Sequence, residues 1–490
     1  MIGTLAGTIR RLALFVGLLF AALLVNINLV QVTRANSLAD KPGNNRAIIK
    51  EYAKQRGPIL VGDIPVAMSV ATGGQLKYQR TYPFGPLYAA ATGFASLTYG
   101  QTAIERIENA VLAGTDPRFS LQQLADLVAG RTTKGGSVQL TLNAKAQAAA
   151  AAGMKGKVGA VVALEPSTGR ILALYSSPSY NPNLLASNDT NVEQKAWTTY
   201  LADPLNPLLD RGLAQTYPPG STFKLVTLSA ALSTGSYNAS STVPGPAGYR
   251  PPGTSAVIHN ENGLACATAN GKISLKDALA VSCNTAYAYL GVQVGADALQ
   301  RQAEAYGFNH SFMVPMTAAT SVFPTQLDVP LTAQSAIGQY EVRSTALQMC
   351  MVAAALANHG TVMNPYLVNT LYAPDLSVLE TSQPSVFGQA VTPAVAQEVT
   401  DMMVNVVLHG TGTNAQIPGV VVAGKTGTAQ TGNGNPADAW FVSFAPVTSD
   451  QPAKVAVAVV VEGAPNDGEI SGGRLGAPVA KAVMQAVLGS

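Results

Sequence analysis

Three short motifs stand in one order along the 490 residues of this chain: Ser221-Thr222-Phe223-Lys224, Ser282-Cys283-Asn284 and Lys425-Thr426-Gly427. They read S-x-x-K, S-x-N and K-T-G. Each alone is weak, but as an ordered set they ask for a fold that gathers widely separated segments around one place. Tyr217-Pro218-Pro219-Gly220 precedes the first serine, and a Pro/Gly turn just before a helix puts Ser221 in the first helical turn.

The hydrophobic pattern points the same way. Gly159–Leu164 and Arg170–Tyr175 read as two strands joined by the Glu165–Gly169 turn. Helical patterns then dominate, around Ser221–Ser233, Leu275–Val281, Thr285–Val294 and Thr345–Asn358, before strands return at Val420–Thr426, Trp440–Ala445 and Val455–Val461. A last helix is expected over Ala477–Leu488. Strands at both ends with helices between them imply one sheet assembled from distant segments and flanked by a helical insertion. No internal repeats appear.

Upstream, Leu12–Val32 is a mostly apolar stretch of about the length that spans a bilayer, preceded by Arg10 and Arg11 and followed by Arg34 and Lys41. It reads as an uncleaved anchor of a single-pass exported protein. The rival is a cleaved signal peptide, since Asn26 interrupts the apolar run. Ser37 to about Lys134 reads as a mixed module, opening near Asn45-Arg46 and Gln55-Arg56-Gly57, with an extended segment at Ile64–Val70. A strand at Ser137–Leu142 and a helix at Ala144–Gly153, capped by Asn143, follow. A chain this long suits about two or three domains. Its net charge of +3, with 12% charged residues, leaves no footprint of nucleic-acid binding. Of three cysteines, Cys266 and Cys283 are candidates for a bridge, and Cys350 reads as a buried core thiol.

The chemistry follows from the residue types. Ser221 and Lys224 share a helix face, so the amine can act as base for a hydroxyl that is a poor nucleophile unaided. That role needs Lys224 neutral, as desolvation favours. Ser282 can pass a proton and the Asn284 amide can grip a peptide backbone, although on their own both read as helix caps. Along a strand Thr426 and Thr428 point the same way and can receive one carboxylate, Gly427 leaves room for backbone approach, and Lys425 adds positive charge. Gly419–Thr426 also matches the phosphate-binding pattern G-x-x-x-x-G-K-T, but Pro418 precedes it, the would-be loop is itself a strand, and the following Gly427–Gly434 is a poor helix former. Nucleotide binding is set aside. His359 and His409 read as helix C-terminal residues and His259 and His310 as isolated loop residues, so no metal or cofactor is expected.

The ordered motifs are known in serine acyl-transferases that react with penicillin, and in their contexts the chain resembles class B penicillin-binding proteins. Gly159–Asn183, Thr216–Lys224 (TYPPGSTFK), Ser282–Ala286 (SCNTA), Ile337–Gln339 (IGQ) and Gly424–Gln430 (GKTGTAQ) carry the resemblance, which covers nearly everything after the anchor. It implies an α+β protein: a serine β-lactamase-like transpeptidase domain with a mixed sheet and a helical subdomain, behind an anchor and a small pedestal. The expected divisions are a cytoplasmic N-terminus at 1–11, the anchor at 12–32, a dimerisation-like pedestal at 33–150 and the transpeptidase domain at 151–490, outside the cytoplasmic membrane.

By the same resemblance, Ser221 attacks a D-Ala-D-Ala stem peptide of peptidoglycan, Lys224 takes its proton, and Ser282 relays a proton to the departing D-alanine. Asn284 holds the substrate backbone, and Lys425, Thr426 and Thr428 bind the terminal carboxylate. The backbone N–H groups of Ser221 and Thr428 form the oxyanion hole, each donor worth about 3 kcal/mol. An amine acceptor resolves the acyl-enzyme, and β-lactams acylate the same serine. The region before the catalytic segment is too short for a glycosyltransferase domain, and no repeats follow the last helix. A membrane glycan polymerase of the shape, elongation, division and sporulation group is therefore the expected partner, with the division or elongation machinery. Asp438 stands where relatives often carry histidine before the Ala439-Trp440 pair. Competing readings are a β-lactamase, for which no E-x-x-L-N pattern occurs between Ser282 and Lys425, a D,D-carboxypeptidase, and a non-catalytic penicillin-binding sensor, which the short segment before Leu12 disfavours.

Overall fold

A computed structural model describes residues 2–33, 52–74, 76–119, 133–267, 270–432, 436–448, 451–464 and 470–489. Arg34, Ser37, Lys41, Asn45 and Arg46, together with residues 433 and 434 of the loop after Lys425, lie outside them.

Helix α1 (Ile2–Thr33) contains the expected apolar stretch. Its Gly7–Val30 portion is long and apolar enough to cross a membrane and is not buried against the other described residues.

The segment that follows builds a six-stranded sheet, ordered Val378–Thr381, Val368–Tyr372, Ser137–Leu140, Ile59–Val61, Ile64–Ala71 and Tyr78–Thr81. Two of its strands thus come from residues 368–381, far beyond residue 150 in sequence. Val368–Tyr372 pairs antiparallel with Ser137–Leu140, which in turn runs parallel to Ile59–Val61. Behind this sheet Glu105 is fully buried, and each carboxylate oxygen takes one guanidinium: Arg56 Nε at 2.6 Å and Arg80 Nε at 2.6 Å. The Tyr82 hydroxyl adds a third bond at 3.0 Å. Burial pushes the Glu105 carboxyl up, but the Arg80 and Arg56 charges outweigh it and hold it below its ordinary range. Glu105→Gln leaves two guanidinium groups without their counter-charge, so it is expected to cost about 3–5 kcal/mol. Thermal unfolding of the full chain checks this; an unchanged midpoint would show that the network contributes nothing to stability.

The catalytic region is organised by five antiparallel strands, β1 (Val158–Leu164), β2 (Ile171–Ser177), β3 (Ala423–Ala429), β4 (Asp438–Ala445) and β5 (Val455–Glu462), in the spatial order β3-β4-β5-β1-β2. Nearly every residue of these strands is buried because both faces are covered. Alternation divides them. Val161, Ala163, Phe441, Val457 and Val459 face one apolar cluster, and Ala160, Val162, Val442, Phe444 and Val460 the other.

The first cluster is closed by α2 (Ala144–Gly153) together with the C-terminal helix Ala477–Leu488. The Asn143 carboxamide caps α2 by accepting from Lys145 N and Ala146 N. On the other face lie α3 (Lys224–Ser233), α4 (Asn284–Val294), α5 (Ala346–Ala357) and α6 (Pro393–His409). Every residue of α5 is buried, Cys350 included, as suits a helix that is apolar all round and runs between the sheet and other helices. The fold is therefore the mixed α+β arrangement anticipated, with one sheet built from both ends of the domain and helices inserted between.

One boundary moves. The strand expected to start at Val420 starts at Ala423, because Ile417 and Val420 close a tight turn around Gly419, whose φ is +74°. That turn and strand also leave no helix after Lys425-Thr426 to cradle a phosphate.

Candidate active site

The chain enters the site through a clamped turn. Tyr217 pairs with Ser344 by two backbone bonds of 2.9 and 2.8 Å, and the indole Nε1 of Trp440 donates to Pro218 O at 2.9 Å. Gly220 adopts φ +53° and donates to Gly338 O at 2.9 Å. Neither glycine tolerates a side chain: a Cβ on Gly338 would fall 2.1 Å from Gly220 O, and one on Gly220 would fall 2.9 Å from Thr428 O. The turn is thus pressed between the Ile337–Gln339 segment and the edge strand β3.

Gly220–Phe223 then forms a 3₁₀ turn that passes into α3 at Lys224. In a 3₁₀ turn residues i and i+3 eclipse, so Ser221 and Lys224 stand one above the other. Phe223 anchors the turn from below, stacked on Phe323 and edge-on to Phe308, with both centroids at 5.5 Å. Ser221 is 8% exposed, at the floor of a cavity, while Lys224 is fully buried.

The S-x-N segment comes to meet that lysine. Ser282 takes a left-handed conformation, φ +58°, of the kind that clusters at functional sites, and only the N-cap residue Cys283 separates it from α4. A Cys266–Cys283 disulfide, Cα atoms 6.0 Å apart, ties the segment to the neighbouring loop. Lys224 Nζ donates to Ser282 O at 2.7 Å and to Asn284 Oδ1 at 2.7 Å, with Ser282 Oγ at 3.3 Å. The Asn284 amide cannot be turned the other way, since its Nδ2 donates to His259 O at 3.0 Å. From β3, Lys425 Nζ donates to Ser282 Oγ at 2.8 Å and to Thr426 O at 2.9 Å. The Ser282 hydroxyl therefore lies between two buried amines.

Electrostatics sets the protonation of those amines. Burial drives Lys224 well below its ordinary range, the Lys425 charge drives it further, and Glu261 only partly opposes them. Burial alone brings Lys425 down to about 7, against the pull of Glu261. A neutral Lys224 has two N–H groups, which match Ser282 O and Asn284 Oδ1. Its lone pair is then left to accept a proton.

β3 contributes both of its sides. Gly427 faces the nucleophile turn, where a Cβ would stand 3.0 Å from Thr222 Cγ2. Thr428, on the alternate side, opens onto the same cavity as Ser221. Thr426 shares that side but is nearly buried, with its hydroxyl 2.6 Å from Thr411 Oγ1. The cavity, about 450 Å³, thus brings together Ser221, Asn284 and Thr428, with the two lysines buried beneath Asn284 and Ser282. It also takes in residues to which the sequence gave no role there: His259, Glu261, Gln339, Tyr340 and Gln430. The Ile337–Gln339 and Gly424–Gln430 matches were the sequence signals that reached any of them. His259, read as an isolated loop residue, lies on a short ribbon pairing Gly248–Tyr249 with Ile258–His259.

Residues 159–485 match the family described as penicillin binding protein transpeptidase domain, and residues 56–138 that described as penicillin binding protein A dimerisation domain. The peptidoglycan D,D-transpeptidase PbpA of Mycolicibacterium smegmatis is 41% identical over 490 residues, covering 98% of this chain and 99% of the relative. Among solved structures, penicillin-binding protein A of Mycobacterium tuberculosis as its ceftriaxone acyl-enzyme superposes with a TM-score of 0.86 at 41% identity, over 90% of this chain and all of that one. The penicillin G acyl-enzyme of the same protein gives 0.84, at 41% identity over 89% of this chain and all of that one.

Proposed function

The chain belongs to the penicillin-binding protein transpeptidase family and is a peptidoglycan D,D-transpeptidase, and from that premise we propose how its residues divide the reaction. Ser221 Oγ attacks the carbonyl of the penultimate D-alanine as Lys224 takes its proton. The proton passes through Ser282 to the leaving D-alanine, whose bond to the carbonyl breaks. Ser282 Oγ, within 3.3 Å of Lys224 Nζ and 2.8 Å of Lys425 Nζ, is the observation that carries this reading, because it is a hydroxyl within hydrogen-bond reach of both amines.

Thr428, Thr426 and the charged form of Lys425 receive the terminal carboxylate, and Gly427 lets the substrate approach the β3 backbone. The Asn284 amide, fixed between Lys224 and His259 O, holds the substrate backbone. N–H groups of Ser221 and Thr428 stabilise the oxyanion. An amine of a second stem peptide then resolves the acyl-enzyme, and a β-lactam takes the place of the dipeptide.

In the same reading α1 crosses the cytoplasmic membrane once, residues 33–150 form the pedestal and residues 151–490 the catalytic domain outside that membrane. The helix Ala144–Gly153, which packs on the catalytic sheet, marks where the two join. Glycan polymerisation falls to a membrane polymerase of the shape, elongation, division and sporulation group.

The test is the intact mass of the full chain, followed for hours after addition of benzylpenicillin, together with formation of a cross-linked product from stem peptides. A lasting single adduct with cross-linking supports the assignment. An adduct lost within seconds indicates a β-lactamase, and no adduct at all removes the catalytic reading.

A further inference from the structure

The cavity above Ser221 is electrically lopsided. Beneath its floor lie the buried amines of Lys224 and Lys425, bonded to Asn284 and Ser282, whereas Glu261 is the one carboxylate among the described residues that line it. Glu261 is exposed at the rim, yet its backbone is held in place from below. The adjacent Asn260 is buried, with its amide donating to Pro246 O at 3.0 Å and Leu264 O at 2.8 Å and accepting from Thr285 N at 3.1 Å. A few residues on, the Cys266–Cys283 disulfide fastens the same loop to the S-x-N segment. A carboxylate fixed at the mouth of a site, with the charged form of Lys425 beneath it, orients any substrate that carries both signs.

We propose that Glu261 is the docking point for a primary ammonium group of a peptidoglycan stem, and foremost for the amine of the acceptor. The proposal rests on the transpeptidase reading. A side-chain amine arrives protonated at neutral pH and cannot attack until it loses a proton. Glu261 concentrates the ammonium at the rim, a short way from the neutral Lys224. One ammonium proton passes to the Lys224 amine, and the freed lone pair forms the C–N bond to the acyl carbon. The ester C–O bond to Ser221 breaks, and a second N–H proton returns to Ser221 Oγ. The proton on Lys224 is finally released to solvent, which leaves an amide and a free serine. Glu261 also acts on the floor, where its charge opposes the proton loss of both lysines.

The experiment uses full-length Glu261→Gln, Glu261→Ala and Glu261→Asp beside the wild type. A thioester donor generates the acyl-enzyme, which is partitioned between a stem tripeptide bearing a side-chain amine and hydroxylamine, a nucleophile that is neutral at pH 7.5. In a parallel arm, acylation by ampicillin, which carries an ammonium group, is compared with acylation by benzylpenicillin, which does not. A fall of about fivefold in the tripeptide-to-hydroxylamine ratio for Gln and Ala, restored by Asp, is the expected result and assigns the ammonium to the acceptor. A fall confined to the ampicillin-to-benzylpenicillin ratio supports the docking point but assigns it to the donor stem. Both ratios unchanged, or no recovery with Asp, overturns the proposal. Failure of benzylpenicillin to acylate the wild type is a different result: it removes the transpeptidase reading, and this inference with it.

Discussion

Ser221→Ala is expected to abolish covalent labelling by benzylpenicillin, a loss of about 10⁴-fold or more in acylation, judged by what removal of a nucleophilic serine does in other acyl-transferases. The reason is chemical rather than structural. The variant keeps the 3₁₀ turn, whose shape depends on Gly220, Gly338 and the Phe223 stack. It keeps the Lys224–Ser282–Lys425 arrangement as well. What it loses is the oxygen assigned to form the ester. Stability is expected to change little, about 0.5 kcal/mol or less, because a single hydroxyl at a cavity wall is removed and no backbone is strained. Reversible binding of penicillin survives, since the carboxylate partners on β3 are untouched. Mass spectrometry after exposure to benzylpenicillin reads the adduct, and thermal unfolding reads the fold. Labelling that persists in a folded variant, for instance on Ser282, would overturn the nucleophile assignment.

Lys224→Arg is expected to lower acylation by about 10²–10⁴-fold, the range lost with a general base. Arginine keeps much of the length but does not release its proton in a protein, so it sets a fixed charge where a neutral base is needed. Lys224→Met, which has neither a charge nor a basic nitrogen, should fall by a similar factor. If the Arg variant acylates at the wild-type rate, Lys224 is not the base. The wild-type pH profile gives a second reading of the same assignment. Lys224 has a depressed pKa, so it is a neutral base above that pKa and is inactivated by protonation as pH falls through it. Lys425 titrates at about 7, so it is charged below that pH and loses its attraction for a carboxylate above it. The second-order acylation constant for benzylpenicillin should therefore be bell-shaped, with limbs that belong to the pair because Ser282 couples the two amines. Benzylpenicillin methyl ester has no carboxylate, so its profile should lack the alkaline limb. Identical profiles for acid and ester would show that Lys425 does not recognise the carboxylate.

Much of the site could be read before any fold was known, because its signals are local. S-x-x-K needs only one helical turn to align hydroxyl and amine. The near-continuous apolar runs that let β1, β4 and β5 be buried on both faces are written residue by residue, and the apolar run of α1 is a matter of composition. Thr426 and Thr428 fall on one side of β3 simply because a strand repeats every two residues. Even the strand that was misplaced failed for a local reason: the three valines at 420–422 favour extended structure, and the Pro418-Gly419 turn overrides them.

Other features depend on segments that sequence distance separates. Nothing local announces that Val368–Tyr372 will complete a sheet begun at Ile59, or that Glu105 will sit between Arg56 and Arg80 with no water to screen them. Thr411 meets Thr426 only because α6 ends beside β3, and Glu261 enters the cavity only because a disulfide and the buried Asn260 hold its loop there. The protonation states are of the same kind, since a lysine is a base at neutral pH only where neighbouring elements exclude water from it. Sequence alone determined which residue types carry the chemistry and which short elements present them, because backbone geometry and hydrophobic period act over a few residues. Tertiary structure alone decided which of those residues share a proton, which charge faces the substrate and which amine is neutral, because burial and Coulomb interaction depend on distance in space.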